Sequence, residues 1–208
     1  MTDVYDETYF RGGSNYADYG DDPGWRRTLA VMQRFWPREG RVLELGCATG
    51  WFVKWADAAG YDVTGVDVSR WAYENRVADT ILGDACDLSR FDNDSFDVVV
   101  SWEFLEHLPE LQIVRLLPRL NRVLKPGGMM LHRIALDTES DESLDWSDDD
   151  PTHVSMFPRW WWESQFAGYG APIRAVEDAL NREFRDRDWW GRFFARRSLK
   201  SSGLSHTG

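Results

Sequence analysis

The chain has 208 residues, of which 43% are hydrophobic and 28% charged, and a net charge of -11. That is enough for one well-packed α/β domain with appendages, too little for two ordinary domains plus a linker, and its balance of residues is that of a globular protein rather than a disordered one. The acidity leaves no basic footprint for a nucleic-acid backbone, the apolar runs fall far short of the roughly 20 residues of a membrane span, and two cysteines without CxxC spacing, Cys47 and Cys86, indicate neither a zinc knuckle nor a disulfide framework.

The opening stretch, MTDVYDETYF, lacks the positive start and apolar centre of a signal peptide, so a cytoplasmic location is expected. Up to about Gly24 the sequence is polar, without a clear period, yet holds Tyr5, Tyr9, Phe10, Tyr16 and Tyr19. Disordered tails are poor in aromatics, so this arm is expected to pack over core surface or a bound ligand. Trp25, Leu29, Met32 and Phe35 or Trp36 then recur at helical spacing until Pro37.

From Arg41 the pattern alternates. Val42–Leu45 reads as a strand covered on both faces, Gly46 and Gly50 as a sharp turn beneath a ligand, and Gly50–Ala59 as a helix. Asp62–Asp67 is the next strand, and it ends in a carboxylate about twenty residues beyond the glycine turn, where ribose hydroxyls can donate to it. A helix is expected near Ser69–Val77, a short strand at Thr80–Leu82, a buried strand at Phe96–Ser101, a helix over Leu108–Val123, a Pro-Gly turn at Lys125–Gly128 and a strand at Met129–Ala135. Asp137–Asp150 is acidic and reads as an exposed loop, and Pro158–Ala167 reads as a helix of which at least two of Trp160, Trp161 and Trp162 are core. Pro172–Leu180 and Asp188–Arg196 are expected to close the sheet as an antiparallel hairpin, with Trp189, Trp190, Phe193 and Phe194 facing helices or an exposed share of them forming a dimer surface; Leu199–Gly208 reads as a frayed tail. The whole is a single α/β domain, a Rossmann-like doubly wound sheet of about seven strands, mostly parallel with an antiparallel last strand, and helices on both faces.

In an open α/β sheet, ligands gather beyond the carboxyl ends of the strands. There the chain resembles the class I S-adenosylmethionine-dependent methyltransferases: ELGCATG matches their acidic-x-Gly-x-Gly-x-Gly signature with Ala48 at the middle glycine, and GVDVS, GDA, FDVVVSWEFLEHL and LKPGGMMLHRI follow in the family's order from Arg41 to Ile134. The resemblance implies S-adenosylmethionine as cofactor. Glu44, Gly46, Cys47, Ala48 and Gly50 would hold its methionine portion, Asp67 and Val68 its ribose, Asp84 and Ala85 its adenine, Ser101 or Trp102 a carbonyl for its ammonium, and Arg11 its carboxylate. It also implies that residues 1–36 cover the cofactor site, 37–197 form the catalytic core and 198–208 a flexible tail.

Methyl transfer to a hydroxyl needs a group that removes the proton, and His107 and His153 are the candidates, His132 being within a strand and His206 in the tail. Glu103, Glu106 and His107 share a face if the EFLEH segment is helical, and with His153 they resemble the two-Glu, two-His site of the small-RNA 2'-O-methyltransferases and the related motif of the ubiquinone-pathway O-methyltransferases. That resemblance implies a divalent ion such as Mg2+. The expected reaction is methylation of an oxygen of a small hydroxylated acceptor such as a sugar, without nucleic-acid or membrane partners and with a dimer as one option. Nitrogen acceptors, an RNA 3'-end 2'-O-methyltransferase and a non-catalytic cofactor-binding subunit are the alternatives.

Overall fold

The computed structural model describes residues 4–12, 19–36, 39–136, 150–169, 171–172 and 190–196, the last two segments by backbone alone. The acidic loop through residue 149, the first hairpin strand beyond Pro172, Trp189 and the tail lie outside these residues. Five parallel strands form the centre: β1 (Arg41–Leu45), β2 (Asp62–Asp67), β3 (Thr80–Leu82), β4 (Phe96–Trp102) and β5 (Leu124–Ala135), in the order β3-β2-β1-β4-β5. Two-residue β6 (Ala171–Pro172) pairs antiparallel with β7 (Trp190–Arg196), which pairs antiparallel with β5.

β4 shows why the sheet is covered twice. Phe96 and Val99 face one apolar cluster and Val98, Val100 and Trp102 face another, so every residue of FDVVVSW except Asp97 is buried. The first cluster is completed by α5 (Glu110–Val123) through Ile113, Leu116, Leu117 and Leu120, and by α6 (Arg159–Ala167) through Trp162 and Phe166. The second is completed by α2 (Pro23–Phe35) through Leu29 and Met32 and by α3 (Trp51–Ala58) through Phe52 and Ala56. Of the tryptophan run, Trp162 is fully buried, Trp161 stacks on Phe157 with centroids 3.9 Å apart, and Trp160 is exposed.

Two short helices flank the ligand end. α4 (Arg70–Glu74) starts at Ser69, whose hydroxyl accepts from the Ala72 amide, and α1 (Glu7–Arg11) starts at Asp6, whose carboxylate accepts from the Thr8 and Tyr9 amides. Phe10 of α1 stacks on Trp71 of α4 at 5.1 Å and shares a small cluster with Ala48 and Ala72, so the aromatic arm is seated on the loop that follows β1.

One expected boundary changes. Lys125–Gly128 does not separate helix from strand: β5 already pairs at Leu124 with Phe96, and pairing resumes at Met129 with Val98. Four residues therefore oppose Asp97 alone, a bulge with Gly127 at φ 79° and a 2.7 Å Lys125–Asp97 ion pair across it.

Candidate active site

The strand order reverses between β1 and β4, and the crevice beyond their carboxyl ends is where a doubly wound sheet holds its ligand. The loop after β1 is set by backbone geometry. Gly46 (φ 66°) and Gly50 (φ 83°) are left-handed, and the Gly46 and Cys47 amides donate to the Val66 carbonyl at 2.9 and 3.2 Å. Ala48, at the position of the signature's middle glycine, is also left-handed (φ 46°), a conformation that costs an L-residue about 1–2 kcal/mol. Its amide donates to Asp67 Oδ2 at 2.7 Å while Asp67 Oδ1 accepts from the Ser69 amide at 2.7 Å. One carboxylate thus clamps the loops after β1 and β2, and each oxygen retains a second lone pair for a hydroxyl donor.

Burial raises the pKa of Asp67, against the pull of the Ser69, Ala48 and Val68 amides. Glu44 is pushed well above the usual carboxylate range, first by burial and then by the charge of Asp67, and its Oε2 is buried without a hydrogen-bond partner. No salt bridge joins a lysine or arginine to either acid among the described residues. A buried acid pair with an orphaned oxygen fits a cationic ligand carrying hydroxyls.

Beyond the end of β3, Asp84 is exposed and its Oδ1 caps the Cys86 amide at 2.8 Å, with Ala85 buried beside it. Arg119 and Arg122 of α5 pin this loop by donating to the carbonyls of Cys86 (2.8 Å), Leu88 (2.6 Å) and Phe91 (2.8 Å). Ser101 is buried at the end of β4, its hydroxyl 2.8 Å from His132 Nδ1, and Trp102 packs against Phe52. Burial pushes His132 down to about 3, so its imidazole is neutral. Cys47 is buried behind the loop, against Gly65. Arg11 is exposed, paired with Glu7 at 3.5 Å and over the Trp71 ring.

The EFLEH segment departs from the helical expectation, and the four anticipated metal ligands are not brought together. Glu103 sits at φ 53°, its carboxylate paired with Arg133, because the chain reverses at the end of β4 before a 3-10 turn (Leu105–His107) begins. Glu106 turns into the core, where Oε1 accepts from the Ala135 amide at 2.8 Å and its own carbonyl accepts from Val154 and Ser155, both at 3.0 Å. His107 and His153 do meet, with ring centroids 4.6 Å apart, and Asp150 joins them: one nitrogen of each ring and an Asp150 oxygen lie within 4.8 Å of one another. Thr152 bridges the group, its hydroxyl 2.8 Å from His107 Nδ1 and 2.5 Å from Asp150 Oδ1, and Tyr9 Oη donates to Asp150 Oδ2 at 3.2 Å. Asp150 and Thr152 were not anticipated. Their signal is the Asp-Pro-Thr turn, in which the aspartate caps the Thr152 amide at 2.8 Å, hidden at the end of a run of acids.

Burial, countered by the Ala135 amide, pushes Glu106 up to about 8 from an ordinary 4.5. A raised carboxyl contributes stability that is complete below pH 4.5 and is lost as pH rises through 8. Glu106→Gln keeps the acceptor for Ala135 and removes the titration. Thermal melts are therefore expected to show the variant gaining on the parent by several degrees between pH 5 and pH 9; parallel profiles would contradict a buried, neutral Glu106.

A match to the methyltransferase domain family covers residues 22–176, three quarters of the chain. The chain belongs to the class I S-adenosylmethionine-dependent methyltransferases. Among curated methyltransferases it is similar to malonyl-[acyl-carrier protein] O-methyltransferase of Erwinia pyrifoliae, 38% identical over 95 residues, 44% of this chain and 36% of that protein. It is similar also to demethylmenaquinone methyltransferase of Staphylococcus aureus, 32% identical over 130 residues, 57% of this chain and 52% of that protein. It thus spans about a third to a half of the length of the curated relatives it matches. Solved structures share the methyltransferase fold at low identity: the PH0226 protein of Pyrococcus horikoshii OT3 (TM-score 0.65, 17% identity, 95% of this chain and 94% of that one) and Burkholderia thailandensis 1,6-didemethyltoxoflavin-N1-methyltransferase (TM-score 0.64, 17% identity, 92% and 84%). No described helix is long and apolar enough to cross a membrane.

Proposed function

We propose that the protein methylates a hydroxyl oxygen of a small hydroxylated metabolite, such as a sugar, using S-adenosylmethionine. The observation that carries this reading is the position of Tyr5. Its carbonyl accepts from the hydroxyl of Ser69, the residue whose amide holds Asp67, and its ring lies edge-on to His107 with centroids 5.9 Å apart. One residue of the arm therefore joins the cofactor loops to the histidine pair.

Bound S-adenosylmethionine supplies a methyl group on a positively charged sulfonium. The chain's own work is then to align the partners, exclude water and take a proton. Asp67 and the amides it organises would hold the ribose end, and Glu44 the charged end. Tyr5, Tyr9 and Phe10 shield the loop from solvent. His107 or His153 receives the hydroxyl proton, a function an amine acceptor would not require. The O-methyltransferase among the relatives favours oxygen, and the net charge of -11 disfavours an RNA acceptor.

The test has two arms. S-adenosylhomocysteine binding by calorimetry establishes the cofactor; no binding at micromolar protein would end the reading. Turnover is then measured on matched acceptors bearing hydroxyls or amines, with and without chelator, and with His153→Ala. Hydroxyl acceptors are expected to be used, with no loss under chelation. Turnover of amines alone would reverse the choice of acceptor, and loss under chelation would place an ion in the chemistry.

A further inference from the structure

We propose that Asp150 and Thr152 form a hydrogen-bonded relay that fixes His107 as the Nδ1-protonated tautomer, leaving Nε2 as the atom that takes the acceptor's proton. The tautomer stands on hydrogen-bond geometry; the proton-accepting role rests on the oxygen reading above.

The argument follows the protons. Asp150 Oδ1 accepts from both the amide (2.8 Å) and the hydroxyl (2.5 Å) of Thr152. Burial works to raise Asp150, but the two Thr152 donors and the charges of His153 and His107 outweigh it and hold the carboxyl below its ordinary value. Asp150 is therefore ionised and can only accept. A threonine hydroxyl has one proton, and here it is committed to Asp150. The same oxygen is 2.8 Å from His107 Nδ1, and with its proton spent it meets that nitrogen as an acceptor. The proton between them thus belongs to Nδ1, and in a neutral imidazole the lone pair then sits on Nε2.

A second donor steadies the carboxylate from the arm. Tyr9 Oη donates to Asp150 Oδ2 at 3.2 Å, and burial together with the Asp150 charge pushes that phenol far above its usual range, so it stays a donor at any working pH. His153 lies beside the same carboxylate, with Nε2 3.8 Å from Asp150 Oδ2. In the proton step, the acceptor oxygen releases its proton to His107 Nε2, whose lone pair forms the new N–H bond, and the oxygen keeps the electron pair it had shared. The resulting imidazolium keeps its Nδ1–H bond to Thr152, with the Asp150 carboxylate one hydroxyl away to stabilise the charge. Asp150 and Thr152 act as positioning residues; neither is required to touch the acceptor.

The experiment is a long-range proton–nitrogen correlation of the four histidines in the uniformly nitrogen-15-labelled full chain, with His107 assigned by its disappearance in His107→Gln. The parent is expected to show His107 protonated on Nδ1. Thr152→Val keeps the shape and the amide bond to Asp150 but removes the hydroxyl; the proton is expected to shift toward Nε2, the tautomer favoured in water. kcat/KM on a hydroxyl acceptor is expected to fall about 10–100-fold, the usual cost of losing an outer partner of a functional histidine. Thr152→Ser is expected to restore both. A parent protonated on Nε2, or a tautomer unmoved in Thr152→Val, overturns the relay. An Nδ1 tautomer with turnover confined to amine acceptors confirms the tautomer and overturns the oxygen reading, so the two failures are distinguishable.

Discussion

Asp67→Ala is expected to weaken binding of S-adenosylhomocysteine by about 100-fold or more, roughly 3 kcal/mol. Two losses add. The ribose hydroxyls would lose a buried acceptor, and the Ala48 and Ser69 amides, each 2.7 Å from the carboxylate, would lose the group that aligns their loops. Ala48 makes the second loss severe, since its left-handed backbone (φ 46°) is unfavourable for alanine and is held in place by Asp67. Asp67→Asn is expected to do little better: an amide side chain has one acceptor oxygen for two backbone donors and turns an N–H toward the other. Calorimetric titration reads both variants directly. A dissociation constant within threefold of the parent's in Asp67→Ala would remove this carboxylate from the cofactor site.

Gly46→Ala is expected to lower stability by about 3 kcal/mol and the melting temperature by about 10 °C. A Cβ at this position would lie 2.5 Å from Phe104 Cδ2 and 3.0 Å from its Cγ, and the backbone (φ 66°) is one that alanine resists. Relief requires Phe104 to move, and Phe104 is the residue from which the 3-10 turn carrying His107 begins. The substitution is therefore expected to disturb the histidine pair as well as the loop. Gly60→Ala is the control, with a comparable backbone (φ 93°) and nothing within 4 Å of the added methyl. It carries the conformational cost alone, about 1 kcal/mol. Equal melting temperatures for the two variants would show that Phe104 yields freely and that Gly46 serves only its backbone.

The parallel strands and the glycine turn after β1 were legible because their signals are local. FDVVVSW is buried at every position but Asp97 because both faces of β4 are covered, and ELGCATG combines strand, turn and helix start in seven residues. Other features were not, each for a physical reason. A Pro-Gly pair looks the same whether it ends an element or forms a bulge inside one, and only the pairing of Leu124 with Phe96 distinguishes the two. Placing Glu103 beside Glu106 assumed helical spacing across 103–107, and the assumption fails because strand β4 ends in a left-handed reversal that no residue type announces. The Asp150–Thr152–His107 chain depends on a contact between positions 45 apart in sequence, a distance over which periodicity carries no information.

Helix α1 spans only Glu7–Arg11, far below the roughly 12 residues at which a helix begins to persist unaided in water. Its order derives from what it rests on: Trp71 and Ala48 toward one end of the crevice, Asp150 and His107 toward the other. Two surfaces that share so small a support are thermodynamically linked, and linkage is reciprocal. The free energy by which a firmer seat of Phe10 strengthens the hold of Tyr9 on Asp150 equals that by which a firmer hold of Tyr9 strengthens the seat of Phe10. The five residues thus make the loop after β1 and the histidine pair dependent on each other without any movement of the sheet between them.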